Sequence, residues 1–409
     1  MRARLLRTLL SFVFTVGSLF LPAQSQAISV CQDIFTPSSA LGAFKASFKH
    51  DPKYSNELSE RVSIKNQRQL GTCHLHSWVG SVERAYTRRT GESLKLSMPY
   101  LTALHWFDQA IKAVNNTETD FKIHKFDVQM GASVTASRDV IRKYGLVPEE
   151  VWSPKTSFEK APYSTRLEEF LVNRIAKAKW EHARELNEAK KNEISMKMSR
   201  DIMAHFIEVA GAMPQKFEYK GRTYTPVEFA KEKFPEVFEP IVNVTINSDR
   251  REPTYRGRNS VGDTIIDTSI NNVEPLLRAA IDSGESVYLS YEHNSNYVDK
   301  ATAVMSIGAF NLPPSGGPMT RAQRDYYNTK EGGHAVQIVG YDADPVTGKI
   351  VKWKIQNSWG EKAGDRGIYH MYNDYFRAFA KGVTFSAAAK VELPSNEVKG
   401  ESQYLLRFD

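Results

Sequence analysis

The sequence predicts an α+β fold, and the contrast between its two halves carries that expectation. Between residues 73 and 210 the apolar residues recur at three- and four-residue spacing, the period of an amphipathic helix. From about residue 272 they fall into short runs, "SVYLSY", "HAVQIVGYD", "IVKWKIQNSWG" and "GIYHMY", that alternate or cluster like strands of a twisted antiparallel sheet or barrel. Helices first and strands later argue for segregated elements rather than alternating β-α-β units.

The composition allows such a fold a full core. At 409 residues, 41% hydrophobic and 25% charged, the chain is that of a soluble globular protein and excludes collagen-like, low-complexity and disordered classes.

Residues 1–27 stand apart. Arg2, Arg4 and Arg7 precede an apolar run over residues 9–21, and "SQA" offers small residues before Ile28, the pattern of a Sec-type signal peptide cleaved after Ala27. The run is short for a bilayer span, and no later segment is apolar for long enough. The mature protein is therefore expected to be exported, to the periplasm or the medium, with no membrane span. Without the three leader arginines the formal net charge falls from +7 to +4. That charge is mild and no basic stripe carries interleaved aromatics, so nucleic acid is not an expected partner.

The remaining elements follow in order. Residues 28–60 mix Pro, Ser, Asp and Lys and read as an irregular arm. Residues 61–163 read as a helical lobe. Leu75, Val79 and Val82 set a helix from Cys73 to Arg84, entered by a turn at Gly71 and Thr72. A second helix covers "PYLTALHWFDQAIKAV", and "MGASVTASRDVIRKYG" gives a loop with Gly131 and then a helix stopped by Gly145. Residues 164–262, rich in Glu, Lys, Arg and Ala, read as a helical insertion with solvated charged faces. Within it "FEYKGRTYTPVEFAKEKF" predicts a hairpin turned at Lys220 and Gly221, then a helix begun by Thr225 and Pro226. Residues 263–395 form the β-rich lobe, opened by the helix "NNVEPLLRAAIDSG", and 396–409 a C-terminal tail.

The chemistry centres on "GTCHLHSW", which holds Cys73, one of two cysteines. With Cys31 as the other, one disulfide at most is possible, and it would consume Cys73. A zinc site needs three or four ligands at usable spacing; Cys73 and His76 lie three apart but no second pair completes a set, so no metal is expected. The segment alone leaves open a buried structural thiol and a nucleophile whose thiolate a helix N-terminus would favour. A nucleophile further requires a base, an orienter for that base and donors for an oxyanion. Gln67 could supply an amide donor beside the Cys73 N–H. His334 follows a Gly-rich loop at a strand start, where its ring can be exposed. Asn357 ends another strand and could accept from the imidazole, and Trp359 could cover that bond from water.

At this point the chain resembles a known family. "NQRQLGTC", "GGHAVQIVGYD" and "WKIQNSWGEKAGDRGIY" are similar, in order, to the three active-site blocks of papain-like cysteine peptidases. His334 lies 261 residues after Cys73, against about 130–150 in papain. The excess matches the helical stretch 164–260, where the bleomycin hydrolase and aminopeptidase C branch carries an insertion. Similarity to that branch covers roughly residues 60–385. It implies a two-lobe papain-like fold, a helical lobe with the cysteine helix and an antiparallel β-barrel-like lobe with His and Asn. Carried over, Cys73 is the nucleophile, His334 the base and then acid, Asn357 its orienter and Gln67 the oxyanion donor. Trp359 is the shield, and Gly131 and Ala132 match the paired glycines whose backbone binds extended substrate. Alanine at the second position is a departure that would crowd the substrate strand.

The resemblance implies hydrolysis of a peptide or protein substrate through a Cys73 thioester, with no metal or organic cofactor. It points to an aminopeptidase, with an endopeptidase of the same mechanism and a non-catalytic peptide-binding scaffold as alternatives. The branch assembles as hexameric rings with the C-terminal tail in the cleft, which makes a homo-oligomer and a tail ending at Asp409 part of what is implied. A further departure is His74, where relatives have an aromatic ring; its expected place is the lining of the cleft.

Overall fold

The protein is described from a computed structural model that covers residues 44–68, 70–115, 131–154, 163–247, 254–310 and 332–393. The expected signal peptide, Cys31, residues 28–43 of the arm and the tail 396–409 lie outside the described residues.

The helical half forms as its spacing predicts. Helix α1 (Cys73–Thr90) runs past the expected end at Arg84 because Tyr86 continues the buried stripe of Val79 and Val82. It stops at Gly91, whose left-handed φ of 74° lets its N–H reach Thr87 O. Helices α2 (Met98–Asn115) and α3 (Val134–Tyr144) pack beside it; Ser133 caps α3 and Gly145 ends it. Then follow α4 (Tyr163–Arg184) and α5 (Glu188–Ala210), a hairpin β2 (Phe217–Tyr219) and β3 (Arg222–Tyr224), and α6 (Pro226–Lys233). Lys220 and Gly221 both have positive φ, 48° and 77°, the mirror-image turn that suits the twist of a two-residue hairpin. Thr225 and Glu228 form a reciprocal capping box with Pro226 in the first turn of α6.

The segment 164–262 packs into the core of the helical lobe. Leu171 and Ile175 of α4 and Ile202 and Phe206 of α5 are fully buried in one core with Leu75, Val79 and Trp106. Phe229 of α6 gathers the rings of Phe217, Tyr219, Tyr224 and Phe234, and Phe234 meets Tyr86 of α1 at 4.9 Å. Each helix exposes its charges on one face only, and the buried stripe is narrow enough for charges to dominate its composition.

The same segment also gives strands to the other half. β4 (Ile241–Ile246) and β5 (Thr254–Arg258) join one large sheet with β6 (Thr264–Thr268), β7 (Val287–His293), β8 (Val298–Asp299), β9 (Val304–Met305), β10 (Gly332–Ala343), β11 (Ile350–Gln356), β12 (Ile368–Tyr372) and β13 (Ala380–Ser386). The order is β5-β6-β4-β13-β7-β10-β11-β12-β9-β8, and β1 (Asn56–Glu57) pairs with the end of β10 beyond its contact with β7. The sheet is mixed rather than antiparallel, since β4–β6 and β12–β9 run parallel, and its two ends are not paired among the described residues. Helices α7 (Ile270–Asp282) and α8 (Asn373–Phe379) pack on it, and Trp353, Ile355, Phe376 and Phe379 fill a second core.

Helix α1 lies against β10, and this contact builds the site. An added Cβ at Gly80 would stand 2.0 Å from Gln337 Nε2, so glycine permits the close approach. Ser77 Oγ donates to Ala335 O at 2.7 Å, and Arg84 Nη2 donates to Gln356 Oε1 at 2.6 Å. Further along, Arg138 of α3 donates to Asp263 at 2.8 Å and to Glu239 O at 2.7 Å, with both charged side chains buried.

Candidate active site

Cys73 is the first residue of α1, a buried free thiol at the edge of the helical core. The helix holds no acidic residue in its first turn, so nothing there opposes a thiolate at its positive end. Backbone N–H groups of Ala335, His74 and Cys73 itself favour the thiolate, but burial outweighs them and pushes the thiol up to about 11.

His334 is brought to the same place by β10. Its neighbour Ala335 touches Cys73 on one side and receives the Ser77 hydroxyl on its carbonyl. The expectation of an exposed ring fails: His334 is only 3% exposed. Strand β7 pairs Tyr291 directly opposite it, and Tyr291 and His293 share its face of the sheet. Their rings stand 5.7 and 6.0 Å from the His334 ring. Trp359 stacks on it at 4.7 Å with planes 19° apart.

Asn357 follows β11 and fixes the ring. His334 Nε2–H donates to Asn357 Oδ1 at 2.9 Å, and Ser358 N donates to the same oxygen at 2.7 Å. An oxygen that accepts from a backbone N–H is the amide's carbonyl end, so the proton of neutral His334 sits on Nε2. Nδ1 is left buried with no hydrogen-bond partner among the described residues. Burial holds His334 down at about 4, with the Asn357 bond pulling the other way. Neither the thiol nor the imidazole therefore charges alone near neutral pH. His334 directly precedes Ala335, whose backbone N–H meets the thiol, and Nδ1 is the ring nitrogen that Asn357 does not hold.

Gln67 is pinned beside this group. Its N–H donates to Ser358 O at 2.8 Å, its Oε1 accepts from Ser358 Oγ at 2.6 Å, and its Nε2 donates to Leu70 O at 2.7 Å. Gly131 and Ala132 lie across from the loop before the thiol; an added Cβ at Gly131 would sit 3.9 Å from Gly71 O. Gly131 is exposed and Ala132 partly so.

The two histidines nearest Cys73 in sequence turn elsewhere. His74 does not line the cleft: it is fully buried, 2.7 Å from Ser137 Oγ, because position 74 faces α3 when Cys73 faces β10. His76 Nδ1 donates to Thr72 O at 2.9 Å, and burial drives its pKa down to about 3. Sequence reasoning missed Tyr291, His293 and Ser358. The alternation of "YEH" in β7, read against His334 in β10, was the available signal for the first two, but the pairing register is needed to use it. His293 Nδ1 accepts from Tyr291 O–H at 3.1 Å, its ring stands edge-on to Trp359 at 5.1 Å, and burial holds it well below the usual range.

A family model matches residues 23–406, described as the Peptidase C1-like family. The chain belongs to this family. It is a papain-like cysteine peptidase, and the resemblance read from its three sequence blocks stands. Among curated relatives of this family, it is 23% identical to Cysteine proteinase 1, mitochondrial, of Saccharomyces cerevisiae, over 81% of this chain and 76% of that one. It is 23% identical to Aminopeptidase W of Lactobacillus delbrueckii subsp. lactis, over 85% and 86%. With Aminopeptidase C of Lactococcus lactis subsp. cremoris it shares 21% identity over 95% of each. The crystal structure of PepW from Lactobacillus rhamnosis has the same fold, with a TM-score of 0.70, 20% identity, and coverage of 91% of this chain and 90% of that one.

Proposed function

We propose that this peptidase is an aminopeptidase that works through Cys73, His334, Asn357 and Gln67. The observation that carries the mechanism is the His334–Asn357 bond, which commits Nε2 and leaves Nδ1 for the thiol. The proton passes from Cys73 Sγ to His334 Nδ1, and the thiolate attacks the peptide carbonyl carbon. The oxyanion is held by the Cys73 N–H and the Gln67 amide. His334 returns its proton to the leaving nitrogen as the C–N bond breaks, which leaves a thioester on Cys73. Water then attacks the thioester, His334 takes its proton, and the acid leaves as the thiol re-forms. Trp359 keeps solvent from the His334–Asn357 bond, and the backbone at Gly131 and Ala132 binds the acyl part of the substrate.

The aminopeptidase reading is supported by the names of three relatives, Aminopeptidases W, E and C. The deciding experiment compares free-amine aminoacyl amides with N-blocked peptides on the mature protein, with Cys73→Ala as control. Cleavage of the blocked peptides alone makes it an endopeptidase, and unchanged turnover in Cys73→Ala removes the mechanism. Export through residues 1–27 is the second part of the proposal, supported by the basic and apolar pattern of that stretch. Cell fractionation and N-terminal sequencing test it; a mature chain starting at Ile28 is expected. No helix of the described residues is long and apolar enough to cross a membrane.

A further inference from the structure

The residue after Cys73 is where this chain departs from its relatives' aromatic ring, and its surroundings give the imidazole a use. His74 is fully buried and its Nδ1 stands 2.7 Å from Ser137 Oγ, on the first turn of α3. Ser137 Oγ donates to Ser133 O at 3.3 Å, and the Ser137 N–H reaches the same carbonyl at 3.2 Å. A hydroxyl has one proton, so with that proton on Ser133 O the serine accepts from His74 Nδ1–H. Ser133 itself is the N-cap of α3, extended in backbone, and accepts from Ala136 N at 3.3 Å. Gly131 and Ala132 run directly into this cap.

The helices that follow Cys73 and Gly131 share one core, with Arg138 over the Trp78 ring farther along, and near the thiol two relationships stand out. One is at the surface, between Gly71 O and Gly131; the other is inside, between His74 and Ser137. At the surface point the two backbones lie about a methyl group apart, since a Cβ added at Gly131 would just reach Gly71 O, and no directional bond is recorded there. The interior point is directional, and a hydrocarbon ring at position 74 would fill the space while leaving the Ser137 oxygen without its donor.

We propose that His74 is a specificity-determining positioning residue: through Ser137 it sets the spacing between Cys73 and the Gly131 and Ala132 backbone that receives the acyl part of the substrate. The proposal rests on the reading of that backbone as substrate-binding. It predicts that losing the tether weakens recognition of substrate backbone and spares the chemistry of the thiol.

The test uses the full-length enzyme with His74→Phe and Ser137→Ala, the second removing the same bond from its other end with little change in volume. Two substrates are compared, a peptide amide and p-nitrophenyl acetate, which acylates Cys73 without a backbone to bind. Each variant is expected to raise KM for the peptide about five- to tenfold, the loss of one buried hydrogen bond, with kcat within about twofold. Acylation by p-nitrophenyl acetate should stay within about twofold, and adding Ser137→Ala to His74→Phe should raise the peptide KM no further, because the bond it removes is already gone. Equal losses on both substrates, an unchanged peptide KM in Ser137→Ala, or additive effects would overturn the proposal while leaving Cys73 as nucleophile. Turnover surviving in Cys73→Ala would overturn both.

Discussion

His334 and Asn357 are joined by a 2.9 Å hydrogen bond under the face of Trp359, and this bond decides which nitrogen of the imidazole is free. Asn357→Ala removes the acceptor that, among the described residues, fixes the tautomer. The ring can then rotate about its Cβ–Cγ bond and loses a partner for its charged form. A fall in kcat/KM of about 10- to 100-fold is expected with little change in thermal stability, the scale of misplacing a general acid–base group. Steady-state kinetics check it, and a variant with full activity would remove Asn357 from the mechanism.

The thiol gives a second, independent measurement. In the proposed mechanism, ionisation of Cys73 delivers its proton to His334 Nδ1. In His334→Ala no imidazole is left to take the proton, and burial, which outweighs the backbone N–H groups of Ala335, His74 and Cys73, keeps the thiol protonated. Alkylation by iodoacetamide near pH 7 should fall about tenfold or more and recover as pH rises, since each unit below a thiol's pKa lowers the thiolate fraction about tenfold. A reactive thiol at neutral pH in this variant would show that the helix and backbone N–H groups alone stabilise the thiolate.

Both expectations trace back to what the sequence made legible. The three blocks around Cys73, His334 and Asn357 are short, local and ordered, and each sits at an element terminus that turn and period signals locate. What stayed hidden depended on pairing. β4 is a β-branched strand set among charged helices, and β13, late in the chain, lies mid-sheet between β4 and β7. Neither position follows from local pattern. The resemblance puts His74 in the cleft, and helical spacing cannot correct it, because spacing says which residues share a face but not which neighbour each face meets. His334 was expected to be exposed because glycines precede it; the rings of Trp359, Tyr291 and His293, from other strands and loops, bury it.

The shared core of α2, α4 and α5 makes a cooperative prediction. Phe206 is fully buried and its ring stands 6.4 Å from Trp106. Phe206→Ala should cost about 3–5 kcal/mol, and that loss should appear in the same denaturation transition that exposes the Cys73 lobe. Two separated transitions, with Cys73 protected from alkylation until the second, would make the insertion an independent unit.

Arg138 and Asp263 join α3 to the start of β6 with both side chains buried. Asp263→Ala strands a guanidinium away from water, and a loss of about 3–5 kcal/mol is expected, as for other broken buried pairs. Pairing it with Arg138→Met removes the orphaned charge and should recover most of the loss. Chemical denaturation of the single and double variants measures the difference, and equal instability of the two would assign the effect to packing instead.

Acid should weaken the whole molecule well before its carboxylates titrate. Burial lowers His334 to about 4, His76 to about 3 and His370 to about 4, and holds His293 well below the usual range. In the unfolded chain each returns to about 6.5. Between these values the unfolded state binds more protons than the native one, so stability falls as pH falls. The contribution is complete above about 6.5 and is lost progressively toward pH 4 for His334 and His370, and toward pH 3 for His76. Glu83 acts in the opposite sense, because burial raises its carboxyl above the ordinary value and leaves the native state holding that proton more readily. It is one group against five, since burial also lowers His50, and its unfolded value lies lower. Unfolding at pH 5 should therefore take up about three to four protons, and Tm should drop clearly between pH 7 and pH 5. Calorimetry in buffers of different ionisation enthalpy counts those protons directly; uptake of fewer than one would mean that the buried imidazoles are already charged in the native protein.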